Sequence, residues 1–165
     1  MRQRLAGVVF GAIAICVGTV HAQEAAPAVR PEDPALREMI ELGMARSATF
    51  RHLATRLDTS DIVVYVRFAP CAGKVPACLL WASESGATRR LLVKLDRVDR
   101  SVSELAALLA HELQHAHEVA AEPDIRDAAS FRNAFASRGS KNAAGFETAA
   151  AAAAGRRVSA ELARR

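Results

Sequence analysis

Residues 108–119 read Leu108-Leu109-Ala110-His111-Glu112-Leu113-Gln114-His115-Ala116-His117-Glu118-Val119, and the rest of the chain is best read outward from them. Upstream, Ser101-Val102-Ser103-Glu104 is a capping box, and good helix formers run from it through Leu113, so the stretch is expected inside a helix. On a helix, His111 and His115 lie about 6 Å apart along one face, close enough for both imidazoles to reach one tetrahedral zinc. Glu112 is about 100° further round, where its carboxylate can take a proton from a water beside the metal. Leu105, Leu109, Leu113, Ala116 and Ala120 make one apolar stripe, while Leu108, His111, His115 and Glu118 make a second face roughly 160° away. Leu108 beside the histidines argues that this second face is covered too. His117 is about 160° from His115, cannot share its metal, and is expected to face solvent. The plain alternative is a pair of ordinary helix histidines.

Three protein ligands and a water make an open zinc site, so one ligand must come from elsewhere. Downstream acids are Glu118, Glu122, Asp124, Asp127, Glu147 and Glu161. Glu147 fits best, because residues 145–148 open a further helical stretch on which Glu147, Ala151, Ala154 and Val158 share a face. The alanine run 149–154 is expected to be packed helix, since small side chains let two backbones approach closely. Glu118 lies about 7–8 Å along the axis from the midpoint of the two histidines. It fits better as a carboxylate orienting His115, or as a partner for Arg126. Asp124, Asp127 and Glu122 stay open as ligands.

His111-Glu112-Leu113-Gln114-His115 resembles the His-Glu-x-x-His signature of the zincin metallopeptidases, and a glutamate on a later helix places the resemblance on the gluzincin side. It spans roughly residues 101–120 and 145–163. The resemblance implies bound Zn2+, ligands His111, His115 and Glu147, catalytic Glu112, and hydrolysis of peptide or amide bonds in a peptide or protein substrate. Phe146 and Ala151 stand where the best-known gluzincins carry an asparagine and an aspartate. The glycine and histidine of the metzincin extension are replaced by Glu118 and Ala121. The rival readings are a non-catalytic zinc-binding envelope protein and an interaction module that retains the fold.

The N-terminus reads as a secretory signal: basic Met1–Arg4, apolar Leu5–Val20, then Val20-His21-Ala22 with cleavage after Ala22. The apolar run is short for a spanning helix, so no stable membrane insertion is expected after cleavage, and a secreted or periplasmic location follows. Ile15 before Cys16 is not a small residue, which disfavours a lipoprotein signal. Loss of residues 1–22 leaves Cys71 and Cys78, expected to form a disulfide closing a hairpin. The formal charge falls from +4 to +2, because that segment holds Arg2 and Arg4 and no acid. Aromatic residues make up only 5% of the chain, and the arginines are scattered among acids, which argues against a nucleic-acid partner.

Residues 23–34, with three prolines, read as a flexible lead-in, and residues 35–165 as one domain. An amphipathic helix is expected over 35–58, then strands at Ile62–Phe68, Ala77–Ser83 and Arg90–Leu95. Short links between them predict an antiparallel three-stranded meander. Ile125, Ala128, Phe131 and Phe135 mark a helix ended by Gly139, with 140–144 an exit loop. The fold class is therefore α+β, a minimal zincin-like domain: N-terminal helix, meander, metal helix and two C-terminal helices. A strand beside the cleft can hold an extended peptide by backbone pairing. Tyr65, the only tyrosine, is placed in the sheet ahead of any oxyanion role.

Overall fold

Strand alternation and helical stripes in this chain sort its apolar side chains onto one side of a four-stranded sheet. In the computed structural model, which describes residues 26–138, 140–142 and 145–164, the elements run β1 (Val29–Pro31), α1 (Pro34–Arg46), α2 (Ala48–Leu57), β2 (Ile62–Phe68), β3 (Ala77–Ser85), β4 (Thr88–Leu95), α3 (Val102–Ala120), α4 (Ala128–Arg138), β5 (Ser140–Asn142), β6 (Gly145–Glu147) and α5 (Ala149–Ala163). The expected signal segment 1–22 lies outside the described residues, as does Gly139. Among the described residues no helix is long and apolar enough to cross a membrane.

The fold is α+β, but the meander is wrong. The four-stranded sheet has the order β1-β2-β4-β3, with β1 and β4 parallel to β2 and only β3 antiparallel to its neighbour β4. The reason lies in which strands can be buried. Ile62, Val64 and Val66 of β2 and Leu91, Val93 and Leu95 of β4 lie fully inside, and pairing these two strands centrally covers both. β3 ends in Ser83-Glu84-Ser85, is mostly exposed, and is suited to an edge. Residues 69–76 therefore arch past the end of β4, fastened by Ala69 N–H to Leu95 O at 3.1 Å and Asp96 N–H to Pro76 O at 2.9 Å. Cys71 and Cys78 are bonded, with Cα atoms 6.1 Å apart, but they staple this arch and close no hairpin.

Two further expectations change. The lead-in 23–34 supplies β1, because Ala28 and Val29 bury themselves on the open edge of β2 and Asp58 accepts the Ala28 N–H at 2.8 Å. The helix expected over 35–58 is two helices, broken where Ser47 takes an extended backbone and caps α2 with its hydroxyl. The buried Ser47 hydroxyl donates to Glu161 on α5, whose carboxylate also accepts from the Thr49 N–H and hydroxyl, tying the α1–α2 corner to the C-terminal helix. Gly43 permits the corner, since a Cβ there would stand 2.8 Å from the Phe50 ring.

Helix α3 lies across the buried face with Leu105, Leu109, Leu113 and Ala116 in the core, and α5 packs on it through Ala151, Ala154 and Val158. The expected apolar stripe of α3 is observed through Ala116, and of the face expected on the C-terminal helix Ala151, Ala154 and Val158 pack as read, without Glu147. The C-terminal end of α3 is held by Arg89 of β4, whose side chain is buried. Arg89 grips Asp61 through two 2.7 Å bonds and donates to the carbonyls of Val119 at 2.8 Å and Glu122 at 2.7 Å. A guanidinium here neutralises the negative end of the helix while locking it to the sheet. His117, expected in solvent, is instead half-buried, its Nε2 2.8 Å from the Leu53 carbonyl of α2.

Candidate metal centre

His111, Glu112 and His115 sit in the middle of α3, which the capping box starts as expected: Ser101 accepts the Glu104 N–H, and the Glu104 carboxylate accepts the Ser101 N–H at 2.8 Å. The two imidazole rings are 4.9 Å apart, edge to face. Glu147 reaches the same point from elsewhere in the fold. One ligand atom each from His111, His115 and Glu147 lies within 4.8 Å of the others, and among the described residues no fourth ligand joins them.

Glu147 is not on the helix that was expected to carry it. It is the last residue of β6, paired with Ser140 of β5, and the exit loop expected at 140–144 is in part the strand of that hairpin. The helix starts later because Thr148 has extended dihedrals and its hydroxyl accepts the Ala151 N–H, so it caps α5 and leaves Glu147 outside.

Glu118 stands beside the histidine pair. Its Oε2 lies 2.9 Å from Nδ1 of the buried His115 ring, the contact expected of a carboxylate that orients it. Its Oε1 accepts the Thr148 hydroxyl at 2.7 Å. Arg126, weighed as a partner for Glu118, bonds Glu84 at 2.9 Å instead. Of the other acids, Glu161 holds the α1–α2 corner and Asp127 caps the start of α4 through the Ala129 and Ser130 N–H groups, while Glu122 and Asp124 are outside the cluster.

Burial sets the electrostatics. Glu112 is buried, and desolvation pushes its carboxyl up to about 7, with His115 pulling it down, Glu147 adding to the rise, and the Leu79 backbone N–H of β3 favouring the charged form. Desolvation also pushes His111 below the usual imidazole range, against the pull of the Glu147 carboxylate, and so favours the neutral ring that a metal requires. A wall of aromatic side chains flanks the site: Phe135 stands edge-on to His115 at 5.3 Å, Phe131 lies 4.9 Å from Phe135, and Trp81 of β3 lies 6.4 Å from Phe131.

The cluster fits a cation. Glu147 Oε1 is buried without a hydrogen-bond partner and lies 3.7 Å from His111 Nε2. An orphaned carboxylate oxygen in such a place is costly unless a positive charge answers it. Two imidazoles and one carboxylate are a zinc-type donor set, in which ligand atoms stand about 3.3 Å apart, a small side-chain adjustment from the arrangement present. Thr148, Phe135 and Leu79 adjoin the site without a sequence signal that places them there. The Phe131/Phe135 spacing announces a core helix and Thr148 announces a cap, but nothing local says that they meet α3. No protein-family model, curated protein or solved structure matches this chain.

Proposed function

We propose that this chain is a secreted or periplasmic zinc metallopeptidase of zincin type, hydrolysing peptide or amide bonds by addition of water. The observation that carries the reading is the convergence of His111, His115 and the partnerless Glu147 oxygen, with Glu112 on the next position of the same helix. Bound zinc supplies an acidified water and a Lewis acid for the scissile carbonyl. Glu112 removes the proton as the water oxygen bonds to the carbonyl carbon, and returns it to the nitrogen as the C–N bond breaks. The buried Glu112 carboxylate, one position from His111 on the same helix, is placed to serve both halves of that task. Glu118 fixes the His115 ring throughout.

The free side of β3 supports a polypeptide substrate. β3 is an edge strand, its Leu79 backbone N–H contributes to the field at Glu112, and an extended chain added along that edge would run near the cluster. Among the described residues three protein donors converge, which favours turnover over a closed four-ligand structural site.

The test is the zinc content of purified protein, with hydrolysis of a mixed quenched-peptide library by wild type and Glu112→Gln. Wild type is expected to carry one zinc per chain and to cleave. Glu112→Gln should keep the zinc and lose activity by about 10²–10⁴-fold. Equal cleavage by both proteins would remove Glu112 from the reaction, and four protein ligands by X-ray absorption would decide for the non-catalytic zinc-binding reading.

A further inference from the structure

Thr148 occupies a place where two tasks meet. Its hydroxyl oxygen accepts the Ala151 N–H at 3.1 Å, capping α5, while the hydroxyl hydrogen is donated to Glu118 Oε1 at 2.7 Å. The other oxygen of that carboxylate contacts His115 Nδ1 at 2.9 Å. Residue 148 is also the immediate chain neighbour of Glu147, whose carboxylate completes the cluster. One hydroxyl therefore links the carboxylate that orients a ligand on α3 to the backbone that delivers a ligand from β6.

From this geometry we infer that Thr148 is a positioning residue for the metal centre: by holding Glu118 from the far side, it sets the His115 ring and the distance between the α3 ligands and Glu147 together. The inference rests on the metal-binding reading of the cluster. Its physical basis is that a hydrogen bond to each carboxylate oxygen fixes the plane of that group and, with it, the ring it holds, so losing the Thr148 bond loosens both. A cap alone would stabilise α5 and have no bearing on Glu118. The second bond of the hydroxyl distinguishes the two roles.

The experiment measures zinc affinity by chelator competition, and the absorption of bound Co2+, in wild type, Thr148→Ser, Thr148→Val, Glu118→Ala and the Thr148→Val/Glu118→Ala double variant. Melting of the metal-free proteins reports the capping effect separately. Thr148→Ser keeps the hydroxyl and should bind as wild type does. Thr148→Val should weaken zinc roughly 10-fold or more and shift the Co2+ bands. In the Glu118→Ala background the same change should cost little further affinity, because the carboxylate it acts through is gone. An equal loss from Thr148→Val in both backgrounds, or failure of serine to restore affinity, would overturn the inference and leave Thr148 as a cap only. Wild type that binds no zinc would overturn the metal reading, and this inference with it. Wild-type binding with an unaffected Thr148→Val overturns the inference alone.

Discussion

Replacing Arg89 by methionine tests whether α3 is held in place from the sheet. The guanidinium is 1% exposed, is paired with Asp61 through Nε and Nη2 at 2.7 Å each, and donates to Val119 O at 2.8 Å and Glu122 O at 2.7 Å. Methionine fills much of the space and returns none of these bonds. Removing one partner of a buried pair costs about 3–5 kcal/mol. Asp61 keeps a side chain 32% exposed, so water can take over part of its solvation and the lower end applies, about 3 kcal/mol. For a domain of this size that corresponds to a drop in Tm on the order of 10 °C.

The same pair sets a pH signature. Hydrogen bonding by Arg89 outweighs desolvation and holds the Asp61 carboxyl below its ordinary 3.8. A carboxyl lowered in the folded state adds stability above its unfolded value, and that stability is lost as pH falls through the folded value. The deficit of Arg89→Met should therefore be full at pH 7 and narrow below about pH 4. Urea denaturation followed by Trp81 fluorescence at both pH values reads both quantities. A deficit under about 1 kcal/mol at pH 7 would refute the claim that this buried cation anchors α3.

Glu147→Ala should abolish tight zinc binding, since a ligand is lost, while Glu118→Ala should weaken it by about 10–100-fold; isothermal titration separates the two, and the reverse ranking would exchange their roles. Gly43→Ala sets a methyl 2.8 Å from the Phe50 ring and should destabilise the α1–α2 corner by about 1–3 kcal/mol in urea melts, with an unchanged midpoint counting against the tight approach. Opening the Cys71–Cys78 bridge by double serine substitution frees a loop with a sequence separation of 7 and should cost about 2–3 kcal/mol. Reductant should destabilise wild type but leave the serine variant unchanged.

Local patterns in the chain declared a good deal of this protein. The capping box at Ser101, the stripe on α3 and the alternation of Leu91, Val93 and Leu95 each concern residues a few positions apart, and each appears as expected. Glu147 is the carboxylate the sequence offers as a ligand because residues 145–148 read as the opening of a helix, yet that helix begins only after it, because Thr148 is the cap. The break at Ser47 had a local sign, a serine able to cap, but the four-and-three periodicity ran through it. Only packing against Phe50 and Glu161 favours two helices over one.

Strand order was beyond such patterns, since short links suit a meander and an arch equally well. The sequence by itself determined where the helix bearing His111, Glu112 and His115 begins, which faces are apolar and which residues can ligate, because these follow from backbone periodicity and side-chain chemistry over one or two turns. The tertiary structure alone decided that β4 lies between β2 and β3, that Arg89 clasps the end of α3 and that Thr148 meets Glu118. Those outcomes depend on burying the most apolar strands centrally and on satisfying buried polar groups across long separations in the chain, a competition among distant segments that no local spacing encodes.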